Sequence, residues 1–298
     1  LAEAYGAAAE KLARNVFRGG DRNRLIPCQA ASAADRACSE QFVGDFGRRV
    51  FRRPLTETEV SHYNELFRQE ARKTGEFLSG ARIVVEAMLQ SPNFLFRIER
   101  GSDGPWHPYE IATRLSYFLW ATMPNDWLFG QAGAGELNKP GEVEKAARRM
   151  LDDPRAKRSF DEFLAQWLRF DRALQTIRDR RLYRNFSPEL AASMTEETKR
   201  LFRHLVWGDR NFMEFFTADY AFLSSDLASL YGVLAPDEEF AMVRFAPDSG
   251  RAGVLGQAMF HTVTSKPSDT SPTERGLFVR KHFLCQVVPP PPPGLNAS

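Results

Sequence analysis

Apolar residues recur at three- and four-residue spacing along most of the chain, the signature of helices that each bury one stripe. Phe42, Phe46, Val50 and Phe51 predict a helix over 38–53, stopped by Pro54. Thr56 then caps the next helix, and Glu59 completes a capping box three residues on. Val60, Tyr63, Leu66 and Phe67 mark its buried stripe, and Leu78, Ile83, Val84, Ala87 and Met88 mark another over 77–90. Phe94 to Glu99 reads as an extended run. Pro108 opens a strongly apolar helix whose Leu115, Phe118 and Leu119 are expected to pack against Phe163 and Trp167.

Asp153-Pro154 and Ser187-Pro188 pair a capping side chain with a proline at the first helical position. The aromatic residues from Phe212 to Tyr231 predict a cluster around short helices, and Phe240 to Phe245 a short strand. Val254 to Val263 returns to a helical pattern, and Ser271-Pro272 with Glu274 starts one more helix. Pro289 to Pro293 cannot donate backbone hydrogen bonds and favour a polyproline II rod, a strut able to tether a further domain. The fold expected is mainly α, a multi-helix globular array of about a dozen helices with short extended segments and a C-terminal polyproline strut. Its parts are read as an N-terminal helix and linker (1–37), a helical domain (38–106), a main helical domain (107–250) and a C-terminal helical segment with the polyproline linker (251–298).

Composition removes several function classes. A net charge of +2 points to neither nucleic acid nor an anionic membrane surface. No apolar run is long enough to span a bilayer. Arginine supplies 32 of the 40 basic residues, so planar bidentate ties to carboxylates and carbonyls are expected to hold the fold. Cys28 and Cys38 flank a short polar loop and are placed for a disulfide in an oxidising compartment, leaving Cys285 free or paired with a cysteine beyond Ser298.

Phosphate loops, HExxH and GxSxG motifs, CxxCH haem sites and paired CxxC zinc sites do not occur. Glu196-Glu197 and Asp161-Glu162 read as solvated helix faces. Met242, Met259 and the five tryptophans read as core. One stretch is dense in chemistry. His261, Thr264, Ser265, Asp269, Thr270 and Arg275 gather a histidine, hydroxyls, a carboxylate and a guanidinium between two helices, and these six are the candidate ligand-binding residues. The competing reading is a capped loop whose hydroxyls satisfy backbone groups, with Arg275 clamped to Asp269 or to loop carbonyls.

Several motifs in order carry a resemblance: Phe46-Gly47-Arg48-Arg49-Val50-Phe51-Arg52-Arg53-Pro54, Ser91-Pro92-Asn93-Phe94-Leu95-Phe96-Arg97 and Arg114-Leu115-Ser116-Tyr117-Phe118-Leu119-Trp120. Phe163-Leu164-Ala165-Gln166-Trp167-Leu168, Leu227-Ala228-Ser229-Leu230-Tyr231-Gly232 and Thr270-Ser271-Pro272 with Arg275-Gly276 continue it, ahead of Cys285-Gln286 and the prolines. From about Cys28 onward the chain resembles the successive domains of unknown function in large secreted bacterial proteins with c-type cytochrome modules, the planctomycete-cytochrome type. That resemblance implies a periplasmic or extracellular location. It also implies haem c in flanking domains rather than within these residues, and a cytochrome c domain as partner in the same polypeptide or complex. Electron transfer or redox-partner docking is the first function expected. An extracellular enzyme or binding module for a polymer such as a carbohydrate, and a structural subunit of a larger assembly, are the alternatives. The resemblance carries over no catalytic residue.

Overall fold

The computed structural model describes residues 2–99, 101 and 104–289, so most of the proline run lies outside the described residues. Among the described residues, fifteen α-helices and one two-stranded sheet make the chain mainly α. It divides into two compact units, 1–156 and 157–298.

In the first unit, helices α1 (Ala2–Val16), α2 (Arg36–Phe51), α3 (Glu57–Thr74) and α4 (Phe77–Gln90) enclose a core of Phe42, Val43, Phe67, Val84 and Met88. Asp35 caps α2, and the disulfide between Cys28 and Cys38 forms beside that cap. The capping box of Thr56 and Glu59 closes as expected, and Glu59 also takes both ends of the Arg53 fork at 2.8 and 2.9 Å. Gly80 lets α4 approach α3, because a side chain there would meet the Phe67 carbonyl at 2.8 Å.

Arg52 ends α2 in the left-handed conformation (φ 57°) and is buried. Its Nη2 donates to the carbonyls of Asn93, Phe94 and Phe96. The segment it holds is not wholly extended. Ser91 caps a one-turn helix, α5 (Pro92–Leu95), and the backbone becomes extended only at Phe96. The cap-plus-proline signal won there over the β-prone aromatics.

Helix α6 (His107–Trp120) is turned differently from expectation. Its buried face is Ala112, Thr113, Ser116 and Trp120, while Leu115 and Leu119 are half-buried and Phe118 is 79% exposed. Phe163 is likewise 53% exposed, so neither phenylalanine is a core residue. Small side chains bring α6 close to its neighbours α7 (Asp126–Gly133) and α8 (Pro140–Leu151), and a large residue would hold them apart. Trp120 is the buried tryptophan, with its indole N–H donating to Met150 O at 2.9 Å and Arg155 stacked over its ring. Trp106, Trp127, Trp167 and Trp207 are half-buried.

The second unit is built on α9 (Pro154–Leu168) from Lys157 onward, α10 (Asp171–Gln175) and α11 (Pro188–Trp207). Leu164, Leu201, Phe202 and Phe215 anchor its core, with the Phe202 and Phe215 rings 4.1 Å apart between centroids. After α12 (Glu214–Thr217), strand β1 (Tyr220–Leu223) pairs antiparallel with β2 (Ala241–Arg244), Tyr220 opposite Arg244 and Leu223 opposite Ala241. The second strand was expected and the first was not, because Tyr220–Leu223 is buried with little alternation. Met242 on β2 is exposed rather than core, whereas Met259 is buried. Helix α13 (Ser225–Tyr231) lies between the two strands in the chain.

The stretch 254–263 is not one helix. A 3₁₀ turn (Val254–Gly256) and an extended Gln257 precede α14 (Ala258–Val263). Gly253 (φ 48°) permits that break, since a side chain would strike the Phe215 carbonyl at 2.4 Å. Ser271 caps α15 (Pro272–Phe278), which widens into a π-turn over Val279–Phe283.

Candidate functional site

The polar loop after α14 does two jobs at once. Thr264 is buried and donates its hydroxyl to Phe260 O at 2.6 Å, so it belongs to the packing. Asp269 is spent locally, its Oδ1 accepting from Thr270 N at 2.7 Å. His261, Ser265, Thr270 and Arg275 instead line one cleft of about 640 Å³ in the second unit. Arg275 donates to the Thr270 hydroxyl at 2.6 Å and makes no pair with Asp269, because the Asp269 carboxylate is turned onto its own backbone.

The opposite wall comes from residues that sequence spacing did not bring together. Arg178 and Arg184 stand on the segment before α11, Tyr231 ends α13, and Arg251 precedes the 3₁₀ turn. Arg178 is buried and donates to Thr262 O at 2.6 Å and to Lys266 O, fastening the predicted loop to that wall. Arg251 donates to Gly256 O at 3.1 Å and lies over the Tyr231 ring, 4.2 Å from its centroid. Leu182, Phe186, Leu190, Met194 and Leu230 complete an apolar side.

The electrostatics are one-sided. Among the described residues no Asp or Glu lines the cleft, and none of Arg178, Arg184, Arg251 and Arg275 forms an ion pair with a carboxylate. Arginines elsewhere do pair, as Arg53 does with Glu59 and Arg203 with Asp161. His261 reaches the solvent-facing side of the cleft. Crowding by the cleft wall and the charges of Arg275 and Arg251 hold its pKa below the ordinary value, so the imidazole is neutral near pH 7.

Behind Tyr231 lies a carboxyl that sequence reasoning had assigned to a solvated face. Glu197 is fully buried, and the Tyr231 hydroxyl donates to it at 2.8 Å while accepting from Ala258 N at 2.7 Å. Burial pushes the Glu197 pKa up to about 8, against the opposing pull of the Tyr231 hydrogen bond and the Arg251 charge. The same burial, with Glu197 beside it, drives the Tyr231 phenol upward as well. A signal for Glu197 was present, since Leu190, Met194, Leu201 and Leu205 place position 197 on the buried stripe of α11.

Family models account for most of these residues. Residues 107–233 match PSD4, protein of unknown function (DUF1592), and residues 38–99 match PSD5, protein of unknown function (DUF1595). Residues 251–298 match PSCyt3, protein of unknown function (DUF1588). The chain is a run of planctomycete-cytochrome-associated domains. No curated protein and no solved structure matches it. The cleft is composite in these terms: the PSD4 segment supplies Arg178, Arg184 and Tyr231, with Glu197 buried behind it, while the PSCyt3 segment supplies Arg251, His261 and Arg275. The two segments also share one core, in which Met259, Phe260 and Phe278 pack with Leu201 and Phe215.

Among the described residues no group of three or more His, Cys, Asp or Glu could hold a metal ion, and no helix is long and apolar enough to cross a membrane.

Proposed function

We propose that this chain is the ligand-binding part of an exported, cytochrome-associated protein, and that its cleft takes an anionic organic molecule. One observation carries the reading: four arginines without carboxylate partners among the described residues face a cleft with no acidic lining. Guanidinium groups left without anions in a concave, partly apolar site favour a carboxylate-bearing ligand, bound bidentately and seated against Phe186, Leu190 and Met194. Haem c belongs, on this reading, to flanking domains, which supply electron transfer or redox-partner docking. The cytochrome-associated families and the Cys28–Cys38 disulfide support that extracytoplasmic setting.

Calorimetric titration with succinate tests the cleft. Saturable binding is expected, weakened roughly tenfold by Arg275→Gln or Arg184→Gln, as befits one charged hydrogen bond lost. Equal affinity in the variants would remove the cleft from the account.

A further inference from the structure

Glu197 stands out among the ionisable groups of the second unit. It has no exposed surface, and the single proton of the Tyr231 hydroxyl is shared between its two oxygens, 2.8 and 3.0 Å away. Tyr231 is at the same time a wall of the cleft and the surface on which Arg251 rests. The carboxyl therefore lies one side chain behind a cationic group of the candidate site. A buried carboxylate needs a compensating charge, and Arg251 is the cation that acts on it.

Other charges around Glu197 are already committed or distant. On its own helix, Glu196 pairs with Arg200 at 2.9 Å and with Arg203 at 3.4 Å. Of the elements packed against α11, α10 carries the exposed Arg172 and α13 the exposed Asp226. Glu214 of α12 pairs with Arg210 and takes the hydroxyl of Tyr220 from β1. His261 of α14 faces the cleft beside Arg275 and Arg251.

We propose that Glu197 sets the charge state of the cleft. As a neutral acid it leaves the full charge of the Arg251 guanidinium to a bound anion, and as a carboxylate it offsets that charge across the intervening Tyr231 side chain. This rests on the reading of the cleft as an anion site and adds its regulation. Binding an anion then stabilises the protonated form of Glu197, so ligand uptake is coupled to proton uptake. The ionisation falls at about pH 8, where ordinary carboxylates are long since charged. Below it the cleft holds four uncompensated arginines; above it the charge of one of them is offset from behind Tyr231.

Succinate is the probe, because its carboxylates stay ionised throughout the window and do not add a titration of their own. Its apparent Kd is measured calorimetrically from about pH 7 to about pH 9, with circular dichroism confirming the fold at each point. If only the form with neutral Glu197 binds, the apparent Kd rises about tenfold across that range. Glu197→Gln, which cannot ionise, should hold its affinity constant. Tyr231→Phe removes the donor that favours the carboxylate and should move the fall in affinity to higher pH, which keeps the test decisive should the glutamine variant not fold. A wild-type affinity that is flat with pH, or an equal fall in Glu197→Gln, overturns this inference and leaves the anion cleft standing. Absence of succinate binding at every pH overturns the cleft and the coupling together.

Discussion

The hydroxyl of Tyr231 donates to the carboxyl of Glu197 at 2.8 Å, joining the wall of the cleft to a fully buried acid of the second unit. The pairing has a consequence for stability that needs no ligand. In the folded chain Glu197 keeps its proton until about pH 8, whereas an unfolded glutamate loses it at roughly pH 4.3. Between those limits the folded state binds more protons, so stability falls as pH rises through the window. His204 and His261, both held below their ordinary pKa, act in the opposite direction at pH values under roughly 6.5. Comparison with Glu197→Gln isolates the glutamate: wild type should lose about 3–4 kcal/mol relative to the variant between about pH 5 and about pH 8. Parallel urea-melting profiles for the two proteins would show that Glu197 is ionised when folded.

Arg52 should resist conservative replacement. Its guanidinium serves three carbonyls of the segment after α4 from a buried position. A lysine keeps the charge and loses the planar fork, leaving part-buried acceptors unmet. Arg52→Lys is expected to cost about 1–3 kcal/mol in urea unfolding. A change below about 0.5 kcal/mol would mean that water replaces the clamp.

Phe118 and Leu201 make a matched test of which residues are core. Phe118→Ala should alter stability by less than about 0.5 kcal/mol, because the ring is 79% exposed. Leu201→Ala removes a fully buried side chain and should cost about 2–5 kcal/mol. The reverse order, read from denaturant midpoints, would contradict the orientation of α6.

Helix starts were legible because their signals are local. Thr56 with Glu59 places a reciprocal donor and acceptor within four residues, and Ser187 with Pro188 adds a fixed φ to its cap. The face of α6 was not, because it buries Ala112, Thr113 and Ser116, and hydrophobicity ranks such residues below the phenylalanine left outside. The cleft was half legible. Its loop side, His261 to Arg275, is contiguous in sequence, but Arg178 reaches Thr262 across 84 residues and Tyr231 reaches Glu197 across 34. Glu196 and Glu197 look alike in a list, and their environments differ only because one falls on the apolar stripe.

The disulfide should matter locally. Cys28 and Cys38 close a short loop ahead of α2, and reduction is expected to remove about 2–3 kcal/mol by releasing chain entropy. Hydrogen exchange should quicken in residues 21–38 and stay unchanged in the core around Phe202 and Phe215. Unchanged exchange near Asp35 after complete reduction would show that its capping hydrogen bond, not the disulfide, holds that turn.

Whether the cleft of the second unit receives an anion is read from a crystal structure grown with saturating succinate. Electron density for the carboxylates is expected within hydrogen-bonding distance of Arg184, Arg251 or Arg275, with Thr270 still accepting from Arg275. A cleft holding only water at saturating succinate, with these guanidinium groups turned onto carboxylates of the chain itself, would contradict it.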